Sequence, residues 1–271
     1  MRQTVRLAPA EGVAPGQTAT IKLPKPRLYH AFLLATNIPT SEINEIRIMA
    51  NAKAMQSFSG EALDVMNEFD GLQAGDGSFI RICADQTGLK QRMHEELTAI
   101  NVGSTNQNTG QVIDSLSLEI DIKGTATTPA ITNAYAIQSP VRAGGPGAIR
   151  SIRRLYAQGL TGRWDFDKLP KGTRSHQWIS RVFIKAANIT DLEIERDGRT
   201  VWERSTALND FVLADSERVP QAGWVVVDFS EDGYGENKLD VRTAQDLRLK
   251  ITSSGAETVE IVAEYLGELE V

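Results

Sequence analysis

Two stretches of this chain carry the same words in the same order, and a duplication restricts what it can fold into more than any other feature. Residues 183–202 read FIKAANITDLEIERDGRTVW, and residues 32–56 read FLLATNIPTSEINEIRIMANAKAMQ. Each runs from a phenylalanine (Phe32, Phe183) through aliphatic and small residues to Asn-Ile (Asn37-Ile38, Asn188-Ile189). Each continues as an alternating strand, with Ile46 and Ile48 in one and Leu192 and Ile194 in the other. A two-residue turn follows (Asn51-Ala52, Asp197-Gly198), then a basic residue (Lys53, Arg199) and an apolar one (Met55, Val201). The first copy carries extra residues at 39–42.

The flanking segments keep the same order. Strands at 5–7 and 18–23 open the chain, and Pro24 and Pro26 end the second because proline donates no ladder hydrogen bond. A helix is expected over 59–69, with Ser59 as N-cap, Glu61 in the first turn, and Leu63, Met66 and Phe69 on one face. Its counterpart spans 205–214, capped by Ser205. The strand at 78–83 is matched at 223–229, and Leu116, Leu118 and Ile120 are matched by Leu247, Leu249 and Ile251. Gly124 is matched by Gly255. A last strand over 125–137, broken by Pro129, is matched by Val259, Ile261 and Ala263, with Tyr265 standing for Tyr135. A short helix at 89–97 and a polar loop at 103–110 complete the first half; strands at 178–187 and 192–202 belong to the second. Residues 139–147, SPVRAGGPG, read as the linker between units 1–140 and 148–271. No Gly-Lys-Ser/Thr follows them, so they do not read as a phosphate loop. The expected fold is all-β: two tandem eight-stranded jelly-roll sandwiches with short helical insertions.

Composition narrows the function. A net charge of -6 argues against direct nucleic-acid binding, which needs a concentrated basic face. No apolar run reaches the roughly 18 residues of a membrane span, and residues 1–17 lack a signal peptide's apolar core, so synthesis in the cytoplasm is expected. Cys83 is the one cysteine; it rules out an intramolecular disulfide and reads as a small buried hydrophobe. His30, His94 and His176 stand alone, without a metal or hydrolase motif, and His30 and His176 hold comparable places before the organising strands. Adjacent carboxylates such as Glu95-Glu96 diverge by about 100° on a helix and share no proton site. No catalytic residue is therefore assigned.

Two tandem jelly rolls, each with a helical insertion midway, resemble the double jelly-roll major capsid proteins of icosahedral, membrane-containing bacterial viruses, above all the corticovirus-type coat protein. The likeness is carried by residues 43–55 followed by GEALDVMNEF at 60–69, and by residues 189–202 followed by 207–211, with the short start at 5–23. It covers nearly the whole chain and rests on pattern and order rather than on an invariant motif. It implies a virion structural protein that assembles as a homotrimer, a pseudo-hexagonal tile of six similar units. The tiles would meet neighbouring capsomers and minor capsid or vertex proteins, and enclose an internal viral membrane.

Within that picture Arg2, Arg6 and the cluster Arg150, Arg153 and Arg154 are candidates to face lipid headgroups or neighbouring proteins, against a plain reading as solvated surface. The loops at 70–77 and 230–237 are expected to face outward or lie between subunits. Asp228, Glu231, Asp232 and Glu236 are candidate oxygen ligands for a structural calcium, although their spacing is not that of an EF-hand loop. No other cofactor is implied. The alternative function is a carbohydrate- or receptor-binding module of a phage or bacterial surface structure. It rests on Trp164, the one tryptophan expected in a loop, whereas Trp178, Trp202 and Trp224 lie in expected strands.

Overall fold

The computed structural model describes residues 1–270. The first half of the chain runs β1 (Gln3–Arg6), β2 (Thr18–Lys22), β3 (Arg27–Thr36), β4 (Ile43–Ala50), β5 (Lys53–Phe58), α1 (Gly60–Phe69), β6 (Phe79–Cys83), α2 (Arg92–Leu97), β7 (Ile100–Val102), β8 (Leu116–Ile122) and β9 (Ile131–Ser139). The second runs β10 (Ile149–Gly159), β11 (Gly162–Phe166), β12 (Trp178–Lys185), β13 (Ile189–Arg196), β14 (Arg199–Ser205), α3 (Thr206–Leu213), β15 (Trp224–Asp228), β16 (Leu239–Asp240), β17 (Leu247–Ser253) and β18 (Glu257–Gly267).

The two halves thread their strands identically. In the first, β1-β9-β3-β6, with β7 also on β3, makes one sheet and β5-β4-β8-β2 the other. In the second, β10-β18-β12-β15, with β16 on β12, makes one and β14-β13-β17-β11 the other. Even the irregularities recur: β3 slips against β9 between Tyr29 and Ala31, and β12 against β18 between Ile179 and Arg181. Bulges at Ile43/Glu45 and Ile48/Met49 of β4 return at Ile189/Asp191 and Ile194/Glu195 of β13. A bulge shifts every later side chain to the other face of its sheet, so its recurrence preserves which residues point inward. The strands form for the expected reason. Leu116, Leu118, Ile120 and Ile122 are buried between half-exposed neighbours, and Leu247, Leu249, Ile251 and Ser253 do the same in β17.

Ser59 and Ser205 cap α1 and α3 by accepting from the amides of Ala62 and Leu208. An asparagine then ties each helix to the next strand: Asn67 Nδ2 donates to the Arg81 carbonyl (2.9 Å) and Asn209 Nδ2 to that of Val226 (2.7 Å). Together with the bulges this makes Leu33, Arg81 and Tyr135 the counterparts of Phe183, Val226 and Val262. The two phenylalanines of the repeated phrase are therefore not equivalent. Phe32 points into the first core, whereas Phe183 points out of the second sandwich and belongs to the first half's cluster. Nor does Tyr265, fully buried in the second core, stand for the half-exposed Tyr135; its counterpart in the first half is Gln138, since Tyr29 pairs with Gln138 before the bulge as Ile179 pairs with Tyr265.

Other boundaries moved. The helix expected at 89–97 starts at Arg92, and the strand expected from 125 starts at Ile131, because Pro129 and the left-handed Thr128 (φ 43°) hold the preceding residues in a turn. β10 and β11 were not foreseen. Trp164 lies in β11, not in a loop; it is 8% exposed and donates to Ser253 Oγ. The connection at 139–147 is pinned: buried Asn101 donates to the carbonyls of Arg142 (2.8 Å) and Gly145 (2.7 Å) and accepts from the Arg142 amide. Gly145 has φ 77°, and a Cβ there would sit 2.2 Å from the Asn106 amide nitrogen, so only glycine fits.

Candidate functional site

The sandwiches meet along a seam. The outer face of the β10-β18-β12-β15 sheet is covered by α1, and β5 pairs in parallel with β10 through Gln56 and Ile152. That single junction makes one continuous nine-stranded sheet across the two halves. Phe69 of α1 stacks edge-on against Phe183 (5.6 Å between centroids). Glu61, in the first turn after the Ser59 cap, pairs with Lys185, and the Ser59 hydroxyl donates to Glu260. Glu61, Val65 and Phe69 are spaced i, i+4, i+8, one stripe of the helix, and that stripe faces the second sandwich.

At the centre of the seam is a buried charge network. Arg181, 2% exposed, donates from Nε to Glu264 (2.5 Å) and from Nη1 to Asp70, the residue that ends α1 (2.5 Å). Arg150 pairs with the other oxygen of Glu264 and donates to the carbonyls of Cys83 (2.8 Å) and Asp85 (3.0 Å). Burial, with the nearby Arg181 charge second, pulls the Arg150 guanidinium down to about 10, still fully charged at neutral pH. Two arginines and two carboxylates leave the group neutral, which is what allows it to be dry. Gln86 reaches across to Ser180 (2.8 Å), Arg154 to the Asn44 carbonyl (2.8 Å) and Arg153 to that of Ala54 (2.8 Å).

Arg150, Arg153 and Arg154 thus form the mortar of the seam, neither a lipid-facing patch nor solvated surface. Asp70 lies in the seam too, and the loop at 230–237 packs on the first half: the Lys90 amide donates to the Gly233 carbonyl (2.9 Å), and His94 faces Glu236 (3.3 Å). Arg2 pairs with Asp85 and Glu96, while Arg6 is exposed. Arg181 was missed by sequence reasoning, although an arginine inside the apolar strand WISRVFIK is a visible signal; its counterpart in the first half is Ala31.

The calcium candidates go to separate partners. Asp228 accepts from Arg218 (2.7 Å) and from the Ser230 amide and hydroxyl; Glu231 takes both prongs of Arg204; Asp232 accepts from Asn237; Glu236 faces His94. Among the described residues, no group of three or more His, Cys, Asp or Glu is arranged to hold a metal. Cys83 is buried, and burial raises its thiol pKa. The buried Trp164 removes the residue on which a sugar-binding reading rested.

His30 and His176 are both buried, in different settings. His30 is the bulged residue of β3, between Asp85 (3.1 Å) and Ser139 (2.9 Å). His176 accepts from Arg153 Nε at its Nε2 (3.0 Å), so its Nδ1 carries the hydrogen toward Thr173 (2.7 Å) and Ser175 (2.9 Å). Protonation would set N–H against N–H. Burial first, and the Arg153 charge second, push this imidazole down to about 4, with Glu270 opposing. The unfolded chain takes that proton near its ordinary 6.5, so between about pH 6.5 and 4 the unfolded state binds more protons and stability falls as pH falls. The melting temperature is expected to drop through this window, and a His176→Asn variant, which can still accept and donate, to flatten the drop.

A second surface is the unmatched half of the seam. Counting from the serine caps, Ala62, Val65 and Met66 of α1 correspond to Leu208, Phe211 and Val212 of α3. The α1 residues are buried in the seam, but Leu208 is 51% and Phe211 82% exposed. The sheet face that α1 covers has its own uncovered counterpart: Trp224 is buried where Phe79 is 54% exposed, and Phe183 is buried where Leu33 is half-exposed. A pocket of about 300 Å³ opens there, lined by Leu33, Phe79, Arg81 and the loop after α1.

Residues 4–139 match the family described as viral coat protein P2 N-terminal domain, and residues 149–269 that described as viral coat protein P2 C-terminal domain. Over 98% of its length the chain is 25% identical to the major capsid protein P2 of Pseudoalteromonas phage PM2, covering 97% of that protein. The crystal structure of the major capsid protein P2 from bacteriophage PM2 superposes with a TM-score of 0.87 at 23% identity, over 100% of this chain and 98% of that one. The atomic structure of Sulfolobus Turreted Icosahedral Virus includes a chain that superposes with a TM-score of 0.66 at 10% identity, over 97% and 90%. At such identities the superpositions speak for a shared fold.

Proposed function

The chain belongs to the viral coat protein P2 family, and from that premise we propose that this major capsid protein, a virion component and not an enzyme, works as a homotrimer whose six sandwiches form a pseudo-hexagonal tile. We take units 1–140 and 148–271, joined at 139–147, as the two kinds of tile segment. The tiles pack against neighbouring capsomers and minor or vertex proteins and enclose an internal membrane.

The observation that carries this reading is the mismatch between the two helical insertions. α1 is buried because the next sandwich covers it, whereas α3, built on the same capped frame, presents Leu208, Phe211 and Val212 to solvent. An apolar helix face is costly to leave wet, at about 25 cal/mol per Å². The first sandwich offers the counterpart of the face that α1 covers. Joining one copy's α3 to another copy's Leu33–Phe79 face repeats the seam head to tail, and such heterologous contacts close into a ring when the rotation allows. Six near-equivalent units in a ring require three chains.

Light scattering behind size exclusion tests this: the expected mass is three chains, stable on dilution. A mass of one chain across the accessible concentration range would sink the reading.

A further inference from the structure

The seam contains a strand junction as well as a helix contact, and its counterpart is open. Within the chain, β5 lies parallel to β10, with Gln56 opposite Ile152. The register of β4 against β5 places Gln56 opposite Ile48, and that of β13 against β14 places Trp202 opposite Ile194, each just before the recurring bulge, so Trp202 is the counterpart of Gln56. Likewise Thr4 pairs with Ile137 as Ile152 pairs with Glu264, and Ile137 and Glu264 both stand one step past the recurring β3 and β12 bulge, so Thr4 is the counterpart of Ile152.

The two counterpart strands are both free edges: β1 ends the five-stranded sheet and β14 the four-stranded one. Their burial shows what is missing. Ile149–Ile152 of β10 are all buried, whereas Gln3, Thr4 and Arg6 of β1 are exposed. Met55 and Gln56 of β5 are buried, whereas Val201 is 43% exposed and Trp202 is half-buried. The Gln56 amide donates across the junction to the Arg150 carbonyl, while the Trp202 indole N–H is enclosed with no acceptor among the described residues. Ser151 of β10 donates to the Met55 carbonyl, and Gln3, its counterpart, has a side chain able to do the same to the Val201 carbonyl.

We infer that β14 of one copy adds in parallel to the β1 edge of a second copy, with Trp202 opposite Thr4, so that the sheet continues from chain to chain. This deepens the ring proposed above and rests on it. Unpaired edges invite such addition, because each carries a row of free N–H and C=O groups. In the parallel register, Val201 of one copy stands opposite Gln3 of the next, at the roughly 4.8 Å spacing of paired strands, within the Cα separation that a disulfide spans.

A chain carrying both Gln3→Cys and Val201→Cys, purified and mildly oxidised, tests the pairing on a non-reducing gel; buried Cys83 does not compete. Bands of two and three linked chains, reversed by reductant and absent from both single variants, are the expected result. If light scattering gives a trimer but the gel shows only single chains, the strand pairing is wrong and the ring stands. If no trimer forms, both fail. Hydrogen exchange of the unmodified chain is the second reading: amides of residues 3–6 and 199–205 are expected to be protected in the trimer, and exchange there at edge-strand rates would also overturn the pairing.

Discussion

An Arg181→Ala chain is expected to lose about 3–5 kcal/mol of stability, the usual effect of removing one partner from a buried, hydrogen-bonded ion network. The loss comes less from the missing attraction than from what is stranded. Glu264 keeps only Arg150, and Asp70, whose side chain is 6% exposed, keeps the Thr87 hydroxyl (2.7 Å). Because Arg181 also sits over the Phe69 and Phe183 rings (6.0 and 5.5 Å), the seam loses packing as well. Denaturation followed by tryptophan fluorescence is a direct measure, since Trp164, Trp178, Trp202 and Trp224 all lie in the second sandwich. Circular dichroism reports both sandwiches, so a fluorescence transition that parts from it would show the halves uncoupling. Salt should change the result little, because a dry network is poorly screened. A Glu264→Gln change in the same chain is expected to recover part of the loss, as groups in contact are not additive. Unchanged stability in the single variant would mean that the seam is held by its apolar contacts alone.

Phe211→Asp is expected to turn a three-chain particle into single folded chains. The side chain is 82% exposed within its own chain, so the fold has little to lose. In the proposed ring the same ring system is buried against Leu33 and Phe79 of the next copy, where a carboxylate would be desolvated without a partner. The expected readout is a threefold fall in mass with an unchanged circular dichroism spectrum. A variant that stays trimeric would place α3 on the outside of the particle and take away the argument from the two helices. The contrast with Arg181 is useful: one variant attacks the seam within the chain, the other its counterpart between chains.

Much of this architecture was legible in the residues. The serine caps, the alternation of Leu116–Ile122 and Leu247–Ser253, and the repeated phrase around Asn37 and Asn188 are local signals, set by hydrogen bonding and by a period of two. They led to two jelly rolls and, through resemblance, to a coat protein. What they could not show is direction. Phe32 and Phe183 sit at the same place in the repeated phrase yet point to opposite faces, because facing depends on bulges, and a bulge is a property of a strand and its partner.

The site was less legible for the same kind of reason. Arg150, Arg153 and Arg154 read as surface because arginine is usually solvated, and nothing in their neighbourhood in the chain says that Glu264 and Glu260 stand on the adjacent strand β18, or that the carbonyl oxygens of Cys83, Ala54 and Asn44 wait across a seam. Trp164 read as loop because Gly159 and Gly162 bracket a tight turn, and the short strand that follows it crosses to the other sheet. The sequence by itself determined the duplicated β architecture, its caps and its strands, since those follow from short-range chemistry. Only the tertiary structure decided which copy of each face is covered and which is left open, because burial is a relation between distant segments, and two nearly equal halves in one chain can cover only one of their two equivalent faces.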